Sequence, residues 1–303
     1  YKIYNRWCPM KRNESVACVI LNYNDANTTI SLVKKIEKYE SIDYIIVVDN
    51  CSTDDSLVKL ETLSNSKVKI CESPKNGGYG FGNNFGVQFA KDCYSAKYAL
   101  IANPDVEFDD DLVDTLKNKI RKDADVAVTS ANQRGVDGLI KKSGWMLPGN
   151  VETILHGEVF LGVILDKISD AKLKRPNSQN GWIYVDCVAG SLLMVEVDTF
   201  LAVGGYDPEM FLYCEESTLA KKMKVYGKKT ALCTSKSYLH NHSVTISKNY
   251  NVKGQRTQLL KSTLTYLNKY CGGTEIGNLI CQIFYKLGTA ELLLIKILKK
   301  RRQ

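Results

Sequence analysis

Residues 99–106, ALIANPDV, decide the fold. The first four are a short apolar run, the pattern of a strand buried on both faces of a parallel sheet. Asn103-Pro104-Asp105 then stops it, because proline lacks a backbone donor and cannot continue a central strand. An acid, Asp105, is thereby set at the C-terminal lip of that strand, where open α/β sheets bind ligands. By itself the tripeptide is an ordinary turn cluster. Its context gives it more weight.

Upstream, apolar runs at 16–21 (VACVIL), 44–48 (YIIVV), 67–71 (KVKIC) and 97–102 (KYALIA) alternate with helical patterns over about 28–39, 53–64 and 83–93. This alternation predicts βαβ units, right-handed crossovers and a mostly parallel, Rossmann-like sheet with flanking helices. Downstream, the spacing predicts a helix near 109–121, with acids suited to its positive end, and a strand at 125–130 (DVAVTS). The stretch 131–180 is patterned only in HGEVFLGVIL (156–165) and reads as a mobile region near the substrate. Two strand-like runs follow at 183–196 (IYVDCVAGSLLMVE), then a short helix from Asp198, a helix near 215–226 and a strand at 230–234.

The expected organisation is an N-terminal extension (1–14), an α/β domain (15–245) divided into a nucleotide-binding half (15–106) and an acceptor half (107–245), and a C-terminal helical region (246–303). Residues 1–9, ahead of Met10, receive no fold role. In the tail, apolar residues at 276, 280, 283, 287, 290, 294 and 297 form a helical stripe that runs into KILKKRRQ. Such a basic amphipathic end fits an anionic membrane surface. It equally fits a helix packed on the protein with a solvated end.

At 303 residues the chain can bury roughly 75% of its unfolded surface. Its 44% hydrophobic and 24% charged content is that of an ordinary soluble protein. A net charge of +8 favours anionic partners without choosing among them. The ten cysteines never form C-x-x-C and several sit in apolar runs. Structural zinc and a disulfide framework are therefore not expected, and a reducing cytoplasm fits. No signal peptide or uninterrupted run of 18 apolar residues is visible.

Three further lips carry polar side chains. Tyr23 follows the first strand and can stack on a base or pack at the rim. Asp49 ends the second, able to accept from a base or ribose, with Ser52 or Thr53 available as the next N-cap. The third strand is followed by SPKNGGYGFGNNFG, whose four glycines in six residues allow close backbone approach to a ligand ahead of a helix beginning near Asn83. Glu215-Glu216 opens a helix, where two acids are favourable at the positive end whether or not they do chemistry.

Taken in order, VILNYN, VVDNCSTD, NGGYGFGNNFG, NPD, VDCVAGSLLMV, GGYDPEMFLYCEES and HNHS resemble the glycosyltransferases of family 2, which have the GT-A fold. Closest is the rhamnosyltransferase-like subgroup of bacterial surface polysaccharide (capsule-type) biosynthesis, and the resemblance covers about 15–245. It implies an inverting hexosyl- or rhamnosyltransferase that takes a nucleotide diphosphate sugar to a saccharide or lipid-linked acceptor.

It implies donor contacts from Tyr23, Asp49, Asn76, Gly77, Asn84 and Asn103. It implies Mg²⁺ or Mn²⁺ on Asp105, with His240 or His242 completing the site. Glu216 is implied as the general base, with Glu215 as its substitute, and Asp186, Gly190 and Asp207 as acceptor-side residues. Two departures stand out: Glu216 replaces a shorter Asp, and Thr218 stands where the family usually has another acid.

Two other classes compete. A sugar nucleotidyltransferase needs a Gly-rich basic loop after the first strand, where this chain has NYNDANTT. A non-catalytic nucleotide- or membrane-binding module rests on charge alone. No nucleic-acid motif is present and nucleic acid is not an expected partner. Expected localisation is cytoplasmic, including the inner face of the cell membrane, and a homo-oligomer is left open.

Overall fold

The computed structural model describes residues 14–173, 181–241 and 252–300. The N-terminal extension up to residue 13, His242 and residues 301–303 lie outside the described residues.

Strands β1 (Val16–Asn22), β2 (Tyr44–Asp49), β3 (Val68–Glu72) and β4 (Tyr98–Ala102) are parallel, in the order β3-β2-β1-β4, with helices α1 (Ala26–Ile36), α2 (Ser56–Glu61) and α3 (Tyr79–Tyr94) in the crossovers. After β4 come β5 (Val106–Glu107), α4 (Asp110–Lys122) and β6 (Val126–Arg134). Then follow β7 (Gly144–Trp145), α5 (Asn150–Leu155), α6 (Val159–Leu173), β8 (Trp182–Val185), β9 (Cys187–Val188) and β10 (Leu192–Glu196). The chain continues through α7 (Val197–Ala202), α8 (Glu215–Val225), β11 (Lys229–His240), α9 (Val252–Tyr270) and α10 (Glu275–Lys300).

The nine-stranded sheet runs β3-β2-β1-β4-β10-β6-β11-β5, with β8 on β11, while β7 and β9 form a separate ribbon. Strand β10 is antiparallel to both β4 and β6. It leaves the turn at Ala189-Gly190-Ser191, beside the C-terminal end of β4, and runs back down the sheet. The central parallel character predicted from the alternation is what the structure has, with β10 inserted against it.

Period-two alternation divides the core between the faces. Val16, Cys18 and Ile20 pack with Leu32, Val33 and Ile36 of α1 and Leu112, Val113 and Leu116 of α4. Ala17 and Val19 pack with Val87 and Ala90 of α3, Phe200 of α7 and Leu219 and Met223 of α8. Each such aliphatic side chain removed from water contributes about 1.5–3 kcal/mol, so a one-residue register slip would be prohibitive.

Three expectations change. Helix α3 begins at Tyr79, not near Asn83, because its glycines are helical and face the protein. A Cβ on Gly82 would lie 2.3 Å from Leu21, and one on Gly86 would lie 2.5 Å from Val19. Those glycines let the helix lie close on the sheet. The strand expected at 230–234 extends across β11, whose pairing with β6 shifts register between Cys233 and Ser237. Finally, the weakly patterned 131–180 stretch contains the end of β6, β7, α5 and α6 in its described part.

Helices α9 and α10 form a hairpin around Leu267, Cys281 and Tyr285, with Ile154 of α5 packed against it. The apolar stripe of α10 points away from that contact: Ile276 is 73% exposed, and Leu287, Leu294 and Ile297 are each more than half exposed. Packing of the stripe on the protein is thus not what the structure has. Helix α6 shows a second outward stripe of Phe160, Val163, Ile164 and Ile168. No helix among the described residues is long and apolar enough to cross a membrane, and the nine described cysteines are free thiols.

Candidate active site

At the lips of β1 and β2, Asp49 is buried and its carboxylate accepts three hydrogen bonds. Asn22 Nδ2 donates to Oδ1 at 2.8 Å, Ser52 Oγ to the same oxygen at 2.6 Å, and the Ser52 amide to Oδ2 at 2.9 Å. Ser52 is therefore no helix cap. It links the two lips by also accepting from the Asn24 amide at 2.9 Å. Asn22 and Asn24 carry no role in the sequence reading, although their place beside two strand ends is visible in the sequence. Tyr23 stands half-buried on this rim.

The glycine-rich segment is stapled to the lip of β2. Asn50 Nδ2 donates to Asn76 Oδ1 at 3.1 Å and to the Gly78 carbonyl at 3.3 Å, while Ser73 Oγ donates to Asn50 Oδ1 at 2.9 Å. Gly78 has φ +92°, and a Cβ there would sit 2.1 Å from the Phe211 carbonyl oxygen, so only glycine fits. A Cβ on Gly77 would meet the Phe81 ring. The glycines thus serve close packing within the protein. Asn84 uses both ends of its amide on Tyr206, donating to its carbonyl and accepting from its N–H, each at 2.8 Å.

Beyond Pro104, β5 pairs antiparallel with the end of β11, placing His240 opposite Val106. The Asn241 amide donates to the Asp105 carbonyl at 2.9 Å. His240 Nε2 lies 3.2 Å from Asp105 Oδ1. His240 is buried and Asp105 half-buried, so Asp105 is less open than a strand lip suggests. Two ligands of one octahedral ion at 2.0–2.1 Å are about 3 Å apart, so this oxygen and nitrogen fit a shared small divalent cation. No group of three or more His, Cys, Asp or Glu side chains arranged for a metal occurs among the described residues. Such an ion would complete its shell with diphosphate oxygens and water.

Asn103, from the same lip, donates its amide to the Ser191 carbonyl at 2.8 Å. Ser191 Oγ meets Tyr238 Oη at 2.7 Å and donates to Gln133 Oε1 at 3.0 Å. The next residue back, Gly190, donates its amide to Glu216 Oε1 at 3.2 Å and accepts from the Tyr79 hydroxyl at 2.6 Å. The Ala189-Gly190-Ser191 turn thus bonds at Ser191 to the lip that carries Asp105 and at Gly190 to Glu216.

Glu215 is 3% exposed, and its Oε1 has no hydrogen-bond partner among the described residues; Glu216 is half-buried. Burial raises the Glu216 carboxyl, an effect the Gly190 amide opposes. Burial, then the neighbouring Glu216 charge, pushes Glu215 well above the ordinary carboxylate range. The two titrate as a pair. Thr218 is fully buried and donates to the Glu215 carbonyl at 2.9 Å. An acid there would be a third buried carboxylate, so threonine lightens the electrostatic load.

Of the remaining candidates, Asp207 is buried and committed to structure. Tyr270 Oη donates to it at 2.5 Å, Lys269 Nζ lies at 2.8 Å, and it accepts the Glu209 amide at 3.0 Å. Burial works to raise its carboxyl, but these hydrogen bonds outweigh it and hold it low. Asp186 pairs with Lys224 at 3.1 Å and accepts the Leu147 amide at 2.9 Å. It lies beside Thr230 at the start of β11, roughly 30 Å of strand from His240. The structure places Asp105, His240 and Asn103 on one lip and Gly190 against Glu216, while Asp186 lines a cavity with Glu216, Cys187 and Tyr206.

Residues 17–196 match the model of Glycosyl transferase family 2, and the chain belongs to that family. Among curated relatives, a low-salt glycan biosynthesis hexosyltransferase, Agl10 of Haloferax volcanii, is 22% identical over 247 residues, covering 80% of this chain and 73% of its own. Rhamnosyltransferase WbbL of Escherichia coli is 27% identical over 202 residues, covering 61% and 74%. The N-acetylglucosaminyl-diphospho-decaprenol L-rhamnosyltransferase of Mycobacterium tuberculosis is 23% identical over 210 residues, covering 65% and 66%.

Among solved structures, GalNAc-T7 with UDP, GalNAc and Mn²⁺ superposes with a TM-score of 0.56 at 15% identity, over 84% of this chain and 49% of that one. Mannosyltransferase PcManGT from Pyrobaculum calidifontis with GDP-Man and Mn²⁺ gives 0.55 at 15% identity, over 93% and 74%. These neighbours establish the GT-A-like fold. The family match makes the protein a glycosyltransferase.

Proposed function

We propose that this chain transfers a hexosyl or rhamnosyl residue, with inversion, from a nucleotide diphosphate sugar to a saccharide or lipid-linked acceptor. The observation that carries the reading is that one turn, Gly190-Ser191, bonds both to Asn103 on the lip of the Asp105–His240 pair and to the half-buried Glu216 carboxylate. Relatives named for hexosyl and rhamnosyl transfer, one of them onto a diphospho-lipid, support the substrate classes.

In this reading Asp105 and His240 hold Mg²⁺ or Mn²⁺, the metal seen in both neighbours being Mn²⁺. Bound there, the ion supplies charge neutralisation for the departing diphosphate. Tyr23 and the Asp49–Ser52–Asn22 cluster form the wall for the base and ribose, with Asn76 and Gly77 beyond it. Asn84 and Asp207 act behind the site, since both are committed to protein partners. Glu216 takes the proton of the acceptor hydroxyl, the oxygen attacks the anomeric carbon opposite the leaving group, and the bonding pair departs with the diphosphate. The raised Glu216 carboxyl suits this role, because a base works best with a pKa near the operating pH. Glu215, deeper and without a polar partner on Oε1, is the less favoured base.

We further propose that the acceptor is met at an anionic membrane surface. The outward stripe of α10 and the cationic sequence 296–302 (KILKKRR) support this, since apolar insertion and basic attraction then act together. The decisive experiment is nucleotide-sugar turnover by the full chain, with and without Mn²⁺, across a panel of UDP-, GDP- and dTDP-sugars. No turnover or hydrolysis of any donor would reject the catalytic reading.

A further inference from the structure

Two consecutive residues ahead of the glutamate pair, Tyr213 (φ +74°) and Cys214 (φ +66°), occupy the left-handed region without being glycine. Such backbone persists only where the surroundings over-determine it, and it gathers at functional sites. Here the surroundings come from the C-terminal hairpin. Ser262 Oγ on α9 donates to the Leu212 carbonyl at 2.7 Å, directly before the strained pair. Thr263 Oγ1 stands 3.9 Å from Cys214 Sγ and 2.7 Å from Tyr285 Oη on α10. Ser262, Thr263 and Tyr285 are all buried. Further back, Lys269 and Tyr270 hold Asp207. On the opposite side the loop is tied to α3, whose first residue, Tyr79, donates its amide to the Phe211 carbonyl at 3.1 Å.

We infer that Ser262 and Thr263, with Tyr285 behind them, are positioning residues for Glu216. They fix the left-handed 213–214 backbone that aims the first turn of α8 at Gly190. This rests on the reading of Glu216 as the base. The hairpin, like Glu216 itself, lies beyond the 17–196 family match. None of the three needs to touch substrate. Their hydroxyls act through a backbone segment whose displacement by a fraction of an ångström would take the carboxylate out of line with the acceptor hydroxyl.

The test uses the full chain with Mn²⁺ and a saturating nucleotide sugar identified in the donor panel. Thr263→Val keeps shape and removes the hydroxyl, Thr263→Ser keeps the hydroxyl, and Ser262→Ala removes the bond to Leu212. The expected result is a fall in kcat of about tenfold or more for Thr263→Val and Ser262→Ala. Donor KM should stay near wild type, Tm should fall by only a few degrees because each change leaves one buried partner without its hydrogen bond, and Thr263→Ser should restore activity. In a Glu216→Gln background the Thr263→Val change should cost nothing further, because there is no base left to position. If Glu216→Gln itself has normal turnover, the base reading fails. If Glu216→Gln is impaired but Thr263→Val and Ser262→Ala are normal, or their losses multiply with it, the positioning role is overturned. Should a variant fail to fold, Tyr285→Phe removes the partner of Thr263 from the other helix and is read by the same kcat-against-KM criterion.

Discussion

Gly190 and Glu216 meet as backbone against carboxylate: the Gly190 amide donates to Glu216 Oε1 at 3.2 Å, and a Cβ on Gly190 would stand 2.8 Å from that oxygen. Gly190 accepts the Tyr79 hydroxyl on its other side, so the turn cannot simply retreat. The soft partner is the end of the glutamate side chain. Gly190→Ala should therefore fold, with a Tm close to wild type, and lose turnover by about tenfold or more as the carboxylate is pushed aside. Unchanged kcat would mean that the contact has no bearing on the chemistry.

Glu216→Gln should lower kcat by about 10²–10⁴-fold with donor affinity little changed, the range for losing a general base. Glu215→Gln should cost less, because Glu215 is buried and makes no side-chain bond to the Gly190-Ser191 turn. Single-turnover rates with a fixed acceptor distinguish the two. The opposite ranking would transfer the role to Glu215.

The same pair sets a pH dependence of stability. Burial holds both carboxyls above their unfolded values, so the folded state binds more protons than the unfolded state in that window. Their contribution is fully present below about pH 4, near the unfolded pKa, and is lost as pH rises through the native values. Glu215→Gln, which removes a charge whose Oε1 has no partner, should have a higher Tm than wild type at pH 8, the gap closing towards pH 4. A gap that widens on acidification would contradict the assigned direction.

Asp105→Ala should abolish the gain in nucleoside diphosphate affinity that Mn²⁺ confers, as measured by calorimetry with and without the ion. His240→Ala should reduce it. Asp105 joins the end of β11 through its backbone carbonyl, which the substitution keeps. The variant should therefore remain folded by circular dichroism. Retention of the full metal-dependent gain in Asp105→Ala would remove it from the ligand set.

The sequence made the sheet legible because strand period, proline and alternation are local signals. ALIA followed by NPD carried the position of β4 and its lip, and Glu215-Glu216 stood out at a helix start. Asp49 was visible as an acid at a strand end. That Asn22 and Ser52 hold it was not, because those bonds join residues 27 and three positions away across a turn. The glycines at 77–86 are ambiguous in the sequence for a related reason. Close approach to a ligand and close approach to Leu21, Val19 and Phe211 demand the same missing Cβ, and only the packing distinguishes them. Likewise the left-handed Tyr213-Cys214 pair has no compositional mark, since neither residue type favours that region.

The last prediction concerns α10, where an apolar stripe faces outward along a helix that ends in basic sequence. Exposed Leu287, Leu294 and Ile297 lie on the side away from Tyr285 and Cys281. Residues 299–302 add four cations, each worth about 1 kcal/mol near an anionic leaflet. A bilayer occupant predicts two separable effects. Replacing residues 299–302 with glutamine should weaken cosedimentation with phosphatidylglycerol vesicles and flatten its salt dependence. Truncation after Ala290, which also removes Leu294, Ile295, Ile297 and Leu298, should abolish it. Both changes should reduce turnover on a lipid-linked acceptor while sparing donor hydrolysis in solution, because among the described residues no hydrogen bond joins Asp105, Gly190 or Glu216 to α10 beyond residue 290. Absent or salt-insensitive binding by the full chain, together with a concentration-dependent dimer in sedimentation velocity, would assign the stripe to a second copy of this chain.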